Sequence, residues 1–124
     1  MEIDANTKIT GILGHPIHHS LSPLMHNTAF KHLGLNYVYL SFDVKPGDLK
    51  ESIKAIRCMN ILGVNVTIPH KERVIAYLDR IDTEAELIGA VNTVKNIDSE
   101  LVGFNTDGQG FIESLKNDLG FSPR

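Results

Sequence analysis

Four short polar segments hold the residues of this chain that could do chemistry: Ser20-Leu21-Ser22-Pro23, Asn65-Val66-Thr67-Ile68-Pro69-His70-Lys71, Gly89-Ala90-Val91-Asn92-Thr93 and Asn105-Thr106-Asp107-Gly108. Ser22 stands where a helix N-cap would, with Pro23 in the first turn. A helix start flanked by the Ser20 and Ser22 hydroxyls suits a carboxylate or phosphate, although a plain cap explains the same pair. Asn65 and Thr67, two positions apart on a strand, share one face, while Val64, Val66 and Ile68 share the other. Lys71 follows at once, at the start of an expected helix whose dipole disfavours its positive charge and so eases proton release. That property suits a general acid–base; a solvated first-turn lysine is the plainer alternative. Asp107 reads either as a turn aspartate before Gly108 or as the carboxylate that holds the Lys71 ammonium and tunes its proton affinity. Asn92 ends a helical stretch, where a left-handed C-cap is the structural alternative to a ligand contact.

Other groupings carry less. His15, His18, His19 and His26 gather around the first helix start, but no cysteine or acidic residue stands at a recognisable metal spacing, so no metal is expected. Gly108-Gln109-Gly110-Phe111-Ile112-Glu113 breaks the dinucleotide fingerprint at its last glycine and follows an Asn-Thr-Asp loop instead of opening a Rossmann unit. It is not read as a cofactor loop, and Gln109 is given no role. Met25 and Met59 read as core filler.

The elements that must position these groups alternate between strand and helix. Strands are expected at 8–13, 37–44 and 63–68, and a hairpin at 93–97 and 101–105. Helices are expected from Ser22 to Leu33 with Gly34 as the stop, from Pro46-Gly47-Asp48 onward with Leu49, Ile53 and Ile56 at helical spacing, at 71–78, at 84–88, and from about Gly110 to Leu119. Such alternation implies right-handed βαβ units: an α/β fold with a mostly parallel, twisted open sheet, helices on both faces, and one antiparallel strand supplied by the hairpin near one side. Ligands of open α/β sheets bind beyond the carboxyl ends of strands, and three polar stretches, His15–Ser22, Thr67–Lys71 and Asn105–Gly108, follow strand ends. Ser22, Thr67 and Asp107 are therefore expected at one edge.

The bulk numbers fit a single domain. The chain has 124 residues, 42% of them hydrophobic and 22% charged, which is globular composition and not disorder. With 12 Lys+Arg against 15 Asp+Glu the net charge is −3, and no basic stripe invites nucleic acid. No apolar stretch is long enough to span a membrane, and the N-terminus lacks the apolar run of a signal peptide. Cys58 is the only cysteine, so no internal disulfide forms and a reducing, cytoplasmic setting is expected.

In order and spacing the four segments resemble the shikimate dehydrogenase family, and the match runs along nearly the whole chain. The resemblance implies an enzyme that reversibly reduces 3-dehydroshikimate to shikimate with NADPH, in the pathway to aromatic amino acids. It implies that Ser20 and Ser22 hold the substrate carboxylate, that Thr67, Asn92 and Asp107 bind ring hydroxyls, and that Lys71 passes the proton while Asp107 orients it. Residues 1–124 would then be the N-terminal substrate-binding domain. The family continues into a Rossmann-type domain that binds NADP, and this sequence stops at Arg124, about where that domain would begin. Hydride transfer by the chain alone is accordingly expected to be absent. The partners implied are shikimate and 3-dehydroshikimate, with no nucleic acid or membrane, and a homodimer is compatible with the resemblance. A quinate/shikimate dehydrogenase and a non-catalytic module for a small hydroxy acid are the competing readings. A purely binding module has no need of the Lys71 and Asp107 pair.

Overall fold

A computed structural model describes residues 2–106, so Asp107 and the expected helix from about Gly110 to Leu119 lie outside the described residues. The strands are β1 (Lys8–Gly14), β2 (Tyr37–Asp43), β3 (Gly63–Val66), β4 (Arg80–Ile81), β5 (Thr93–Ile97) and β6 (Glu100–Phe104), in the sheet order β2-β1-β3-β5-β6-β4. β1 pairs in parallel with both β2 and β3, and β4 pairs in parallel with β6. β5 is antiparallel to both its neighbours, β3 and β6. It is the single reversed strand, and it sits inside the sheet instead of near a side.

Two helices cover opposite faces, as alternation along the strands requires. The helix α1 (Ser22–Leu33) buries Phe30 against Ile12, Ile17, Tyr37 and Tyr39. The helix α2 (Leu49–Cys58) buries Leu49, Ile53 and Ile56 with Leu13, Val64, Val66 and Val94 on the other face. Gly34 closes α1 in the left-handed region at φ 70°, a conformation that costs glycine little. The β5–β6 hairpin turns on Asp98 and Ser99, both at positive φ (51° and 72°), as a two-residue turn matched to strand twist demands.

Several expectations need correction. β3 ends at Val66, two residues early, because the chain leaves the ladder towards Pro69. Residues 71–78 do not form an α-helix. Only Arg73–Tyr77 coil, as a 3-10 turn that feeds the two-residue β4, and β4 was not expected at all. The helix at 84–88 begins one residue sooner, as α3 (Thr83–Ile88), capped by the Asp82 carboxylate accepting from Ala85 N–H at 2.8 Å. Met25 and Met59 are not core filler: they are 66% and 65% exposed.

Candidate functional site

The sheet brings the polar segments to one end. Ile12 of β1 is in register with Asn65 of β3, and Asn65 with Thr93 of β5, so the three lie in one row on the α1 face. Because β5 runs backwards, its first residues stand at the same end as the last residues of β3. The Gly-Ala-Val-Asn-Thr segment thereby reaches the site although it precedes a strand. Ser20, Ser22 and Thr67 line one open cavity of about 350 Å³ with Ile12, Pro16, Ile17 and His19. Gly14 makes that approach possible: a Cβ there would lie 2.5 Å from Thr67 Cγ2 and 2.8 Å from Ile17 Cδ1.

Ser22 is not the N-cap of α1. Leu21 holds that position without a side-chain cap, Ser22 is the first helical residue, and the Ser20 Oγ accepts the Ser22 N–H at 3.2 Å. Pro23 offers no N–H. Two of the backbone donors expected for an anion are therefore missing or taken, and the hydroxyls become the donors at this helix start. Ser20 keeps its O–H proton for a ligand, since its bond to Ser22 uses only an oxygen lone pair.

Asn92 is not a helix cap either, for Gly89 closes α3 at φ 78°. Its side chain is a brace. The Asn92 Oδ1 accepts from the Thr106 N–H at 2.9 Å and from the hydroxyls of Thr106 and Thr93 at 3.1 Å each. Its Nδ2 donates to Asn105 Oδ1 at 3.4 Å. Asn65, left out of the expected ligand contacts, belongs to the same network. Its Nδ2 donates to Thr93 Oγ1 at 3.3 Å, and its Oδ1 accepts the Tyr39 hydroxyl at 2.7 Å. The sharing of a face by Asn65 and Thr67 was the sequence signal for it.

Lys71 lines a neighbouring hollow of about 410 Å³ with Ile68, Pro69, Glu72, Arg73 and Ala90. Its carbonyl accepts the Val91 N–H at 2.8 Å, so its backbone is tied to the residue before Asn92. No α-helix begins at Lys71 to set a dipole against its charge; a five-residue 3-10 turn follows instead. What fixes the segment is His70, fully buried, whose ring bonds through Nε2 to the Val44 carbonyl at 2.5 Å. With Nε2 donating, Nδ1 is left as an unpartnered acceptor. Backbone bonds from His70 N to Thr67 O and from Val74 N to His70 O complete the turn.

At the rim, His15 Nδ1 approaches Asp43 Oδ1 at 2.7 Å, and His18 Nε2 lies 3.5 Å from Oδ2. The His15 hydrogen bond holds the Asp43 carboxyl below the usual carboxylate range. No group of three potential metal ligands occurs among the described residues. Nor is any described helix long and apolar enough to cross a membrane.

An open α/β sheet with hydroxyls, amides and a lysine gathered beyond its strand ends has the layout of a small-molecule-binding domain. The chain belongs to the shikimate dehydrogenase substrate-binding domain family, whose family model matches residues 12–94. It is 53% identical over all 124 residues to the shikimate dehydrogenase (NADP(+)) of Methanopyrus kandleri, of which it covers 43%. A crystal structure of shikimate dehydrogenase in complex with NADP+ superposes with a TM-score of 0.85 at 53% identity, covering 96% of this chain and 42% of that one. The shikimate 5-dehydrogenase of Listeria monocytogenes, in complex with shikimate and NAD, gives a TM-score of 0.85 at 48% identity over 94% of this chain and 40% of that one. The chain thus spans less than half the length of the relatives it matches.

Proposed function

We propose that this chain is the N-terminal substrate-binding and catalytic domain of a cytoplasmic, NADP-dependent shikimate dehydrogenase, which reduces 3-dehydroshikimate reversibly to shikimate. The observation that carries this reading is the convergence of Ser20, Ser22 and Thr67 on one cavity, with the Lys71 backbone bonded to the strand start that bears Asn92. The similarity to an enzyme crystallised with shikimate supports the same ligand class.

Each side chain has a task suited to its free hydrogen-bonding capacity. The Ser20 and Ser22 hydroxyls donate to the substrate carboxylate. Thr67, beside them, meets a ring hydroxyl. Asn92 contributes chiefly by holding the Asn105-Thr106 strand end in place, with its remaining amide capacity towards the ligand. Reduction places negative charge on the former carbonyl oxygen, and the Lys71 ammonium delivers the proton there; in the reverse direction the amine takes it back. Asp107, next in the chain after the braced Thr106, orients Lys71 and binds a ring hydroxyl.

The cofactor, which supplies the hydride, is held by a domain beyond this chain. NADPH consumption with 3-dehydroshikimate tests the reading: the full-length protein turns over, and the 124-residue chain alone does not. An inert full-length protein would end the enzymatic reading, and turnover by the short chain would show the domain boundary to be misplaced.

A further inference from the structure

Three histidines occupy the loop from β1 to α1, and the fold uses only two of them. His15 is held twice: its N–H donates to the Ile68 carbonyl at 3.1 Å, and its Nδ1 lies 2.7 Å from Asp43 Oδ1. His18 turns to the same carboxylate, with Nε2 3.5 Å from Oδ2. Between them Ile17 is buried (6% exposed), and its carbonyl accepts the Ser20 N–H at 3.1 Å, which closes a tight turn over residues 17–20. His19 rides on that turn. It is exposed, and its ring makes no hydrogen bond, ion pair or ring contact among the described residues. Yet it lines the same cavity as Ser20, Ser22 and Thr67.

That cavity lacks a charge that only His19 can supply. Among the residues that line it, His19 alone is ionisable; the others bear hydroxyls or are apolar. A hydroxyl donates to a carboxylate and to an ester carbonyl alike, whereas a cation separates the two. The other basic groups nearby are committed elsewhere. His15 and His18 face Asp43, whose carboxyl is held below its ordinary range by the His15 hydrogen bond and by the charges of His15, His18 and Lys45. Lys71 lines the neighbouring hollow. Imidazoles change charge between about pH 5 and 8, and a carboxylate alongside favours the protonated form.

We propose that His19 is a further substrate-binding residue, whose imidazolium pairs with the ligand carboxylate beside the Ser20 and Ser22 hydroxyls and sets the preference of the site for an acid over a neutral analogue. The serines orient the carboxylate, and His19 reads its charge. Binding of the acid therefore draws a proton from solvent onto the ring. The proposal rests on reading the site as one for shikimate and adds to it the group that answers the charge of the acid.

The test compares steady-state kinetics of the full-length protein on shikimate and on its methyl ester, which lacks the anionic charge. His19→Gln should raise KM for the acid about fivefold, the size of a partly exposed ion pair, and leave KM for the ester and kcat for both within about twofold. His19→Lys, whose charge is permanent, should keep the preference for the acid. His18→Gln, one residue earlier but turned to Asp43, should leave the acid-to-ester ratio where it was. Calorimetry of shikimate binding at about pH 7, in two buffers of different ionisation enthalpy, adds a readout that a structural role would not move. The unaltered protein should take up protons on binding, and His19→Gln should take up fewer. An acid preference that survives His19→Gln, is lost equally in His19→Lys, or falls as far in His18→Gln overturns the proposal. Turnover with any of these results sinks only the role of His19. Absence of shikimate turnover in the unaltered protein would sink the enzymatic reading and this proposal together.

Discussion

At Ser20 the hydroxyl oxygen already accepts a backbone N–H, at Asn92 the amide oxygen already accepts three bonds, and at Tyr39 the hydroxyl already donates to Asn65. Such prior commitments decide what a polar side chain can still offer a ligand, and a sequence does not display them. Ser20, Ser22 and Thr67 were legible as a set because hydroxyls at a helix start and a strand end have few structural reasons to be there. The bracing role of Asn92 was not, since its partners Asn105 and Thr106 approach only when the strands pair. Asp79 shows the same point away from the site. Its carboxylate accepts the Leu101 N–H at 2.7 Å and the Arg57 guanidinium at 2.8 Å, and these bonds, the backbone one foremost, hold its pKa below the ordinary 3.8. A depressed carboxyl stabilises the fold while it is ionised. That contribution is present well above 3.8 and is lost as pH falls through the lower folded value. Thermal melts from about pH 5 down to about pH 2 should therefore show a fall in Tm that is shallower in Asp79→Asn. An identical slope in the variant would contradict this assignment.

Among the elements, β2 is an end strand, and such an edge invites pairing with another chain. The Asn27 side chain blocks it at Tyr39 by imitating a neighbouring strand, supplying one donor and one acceptor. Asn27→Ala should cost about 1–3 kcal/mol for the two lost bonds and promote concentration-dependent association. Denaturant midpoints and light scattering would check it; an unchanged midpoint with no association would refute the guard role. The helix α2 was readable because Leu49, Ile53 and Ile56 keep helical spacing, and the hairpin because β-branched runs flank a short polar turn. The 3-10 turn at Arg73–Tyr77 and the two-residue β4 were not readable, because so short a segment has no periodicity of its own. Its conformation is set by buried Val74 and by the pairing of Arg80 and Ile81 with β6. Rules that seek ligands after strands also passed over the reversal of β5, which is what brings Asn92 to the site.

Over the whole molecule, the described residues gather hydroxyls, a braced strand end and a lysine-bearing turn towards one end of the sheet. They offer hydroxyl donors for an acid, a braced strand end leading to Asp107, and Lys71 on a turn fixed by buried His70. The chain covers 43% of its Methanopyrus relative, and in the proposed function the cofactor is held outside these residues. In the proposed function Lys71 moves the proton at the reacting oxygen, while the serines hold the substrate and leave the chemistry to Lys71. The most direct measurement is therefore kcat and KM for shikimate oxidation by full-length protein carrying Lys71→Ala. We predict that kcat falls by about 10²–10⁴-fold with a smaller change in KM. A near-normal kcat, with the loss confined to KM, would contradict the claim and leave Lys71 as a binding contact alone.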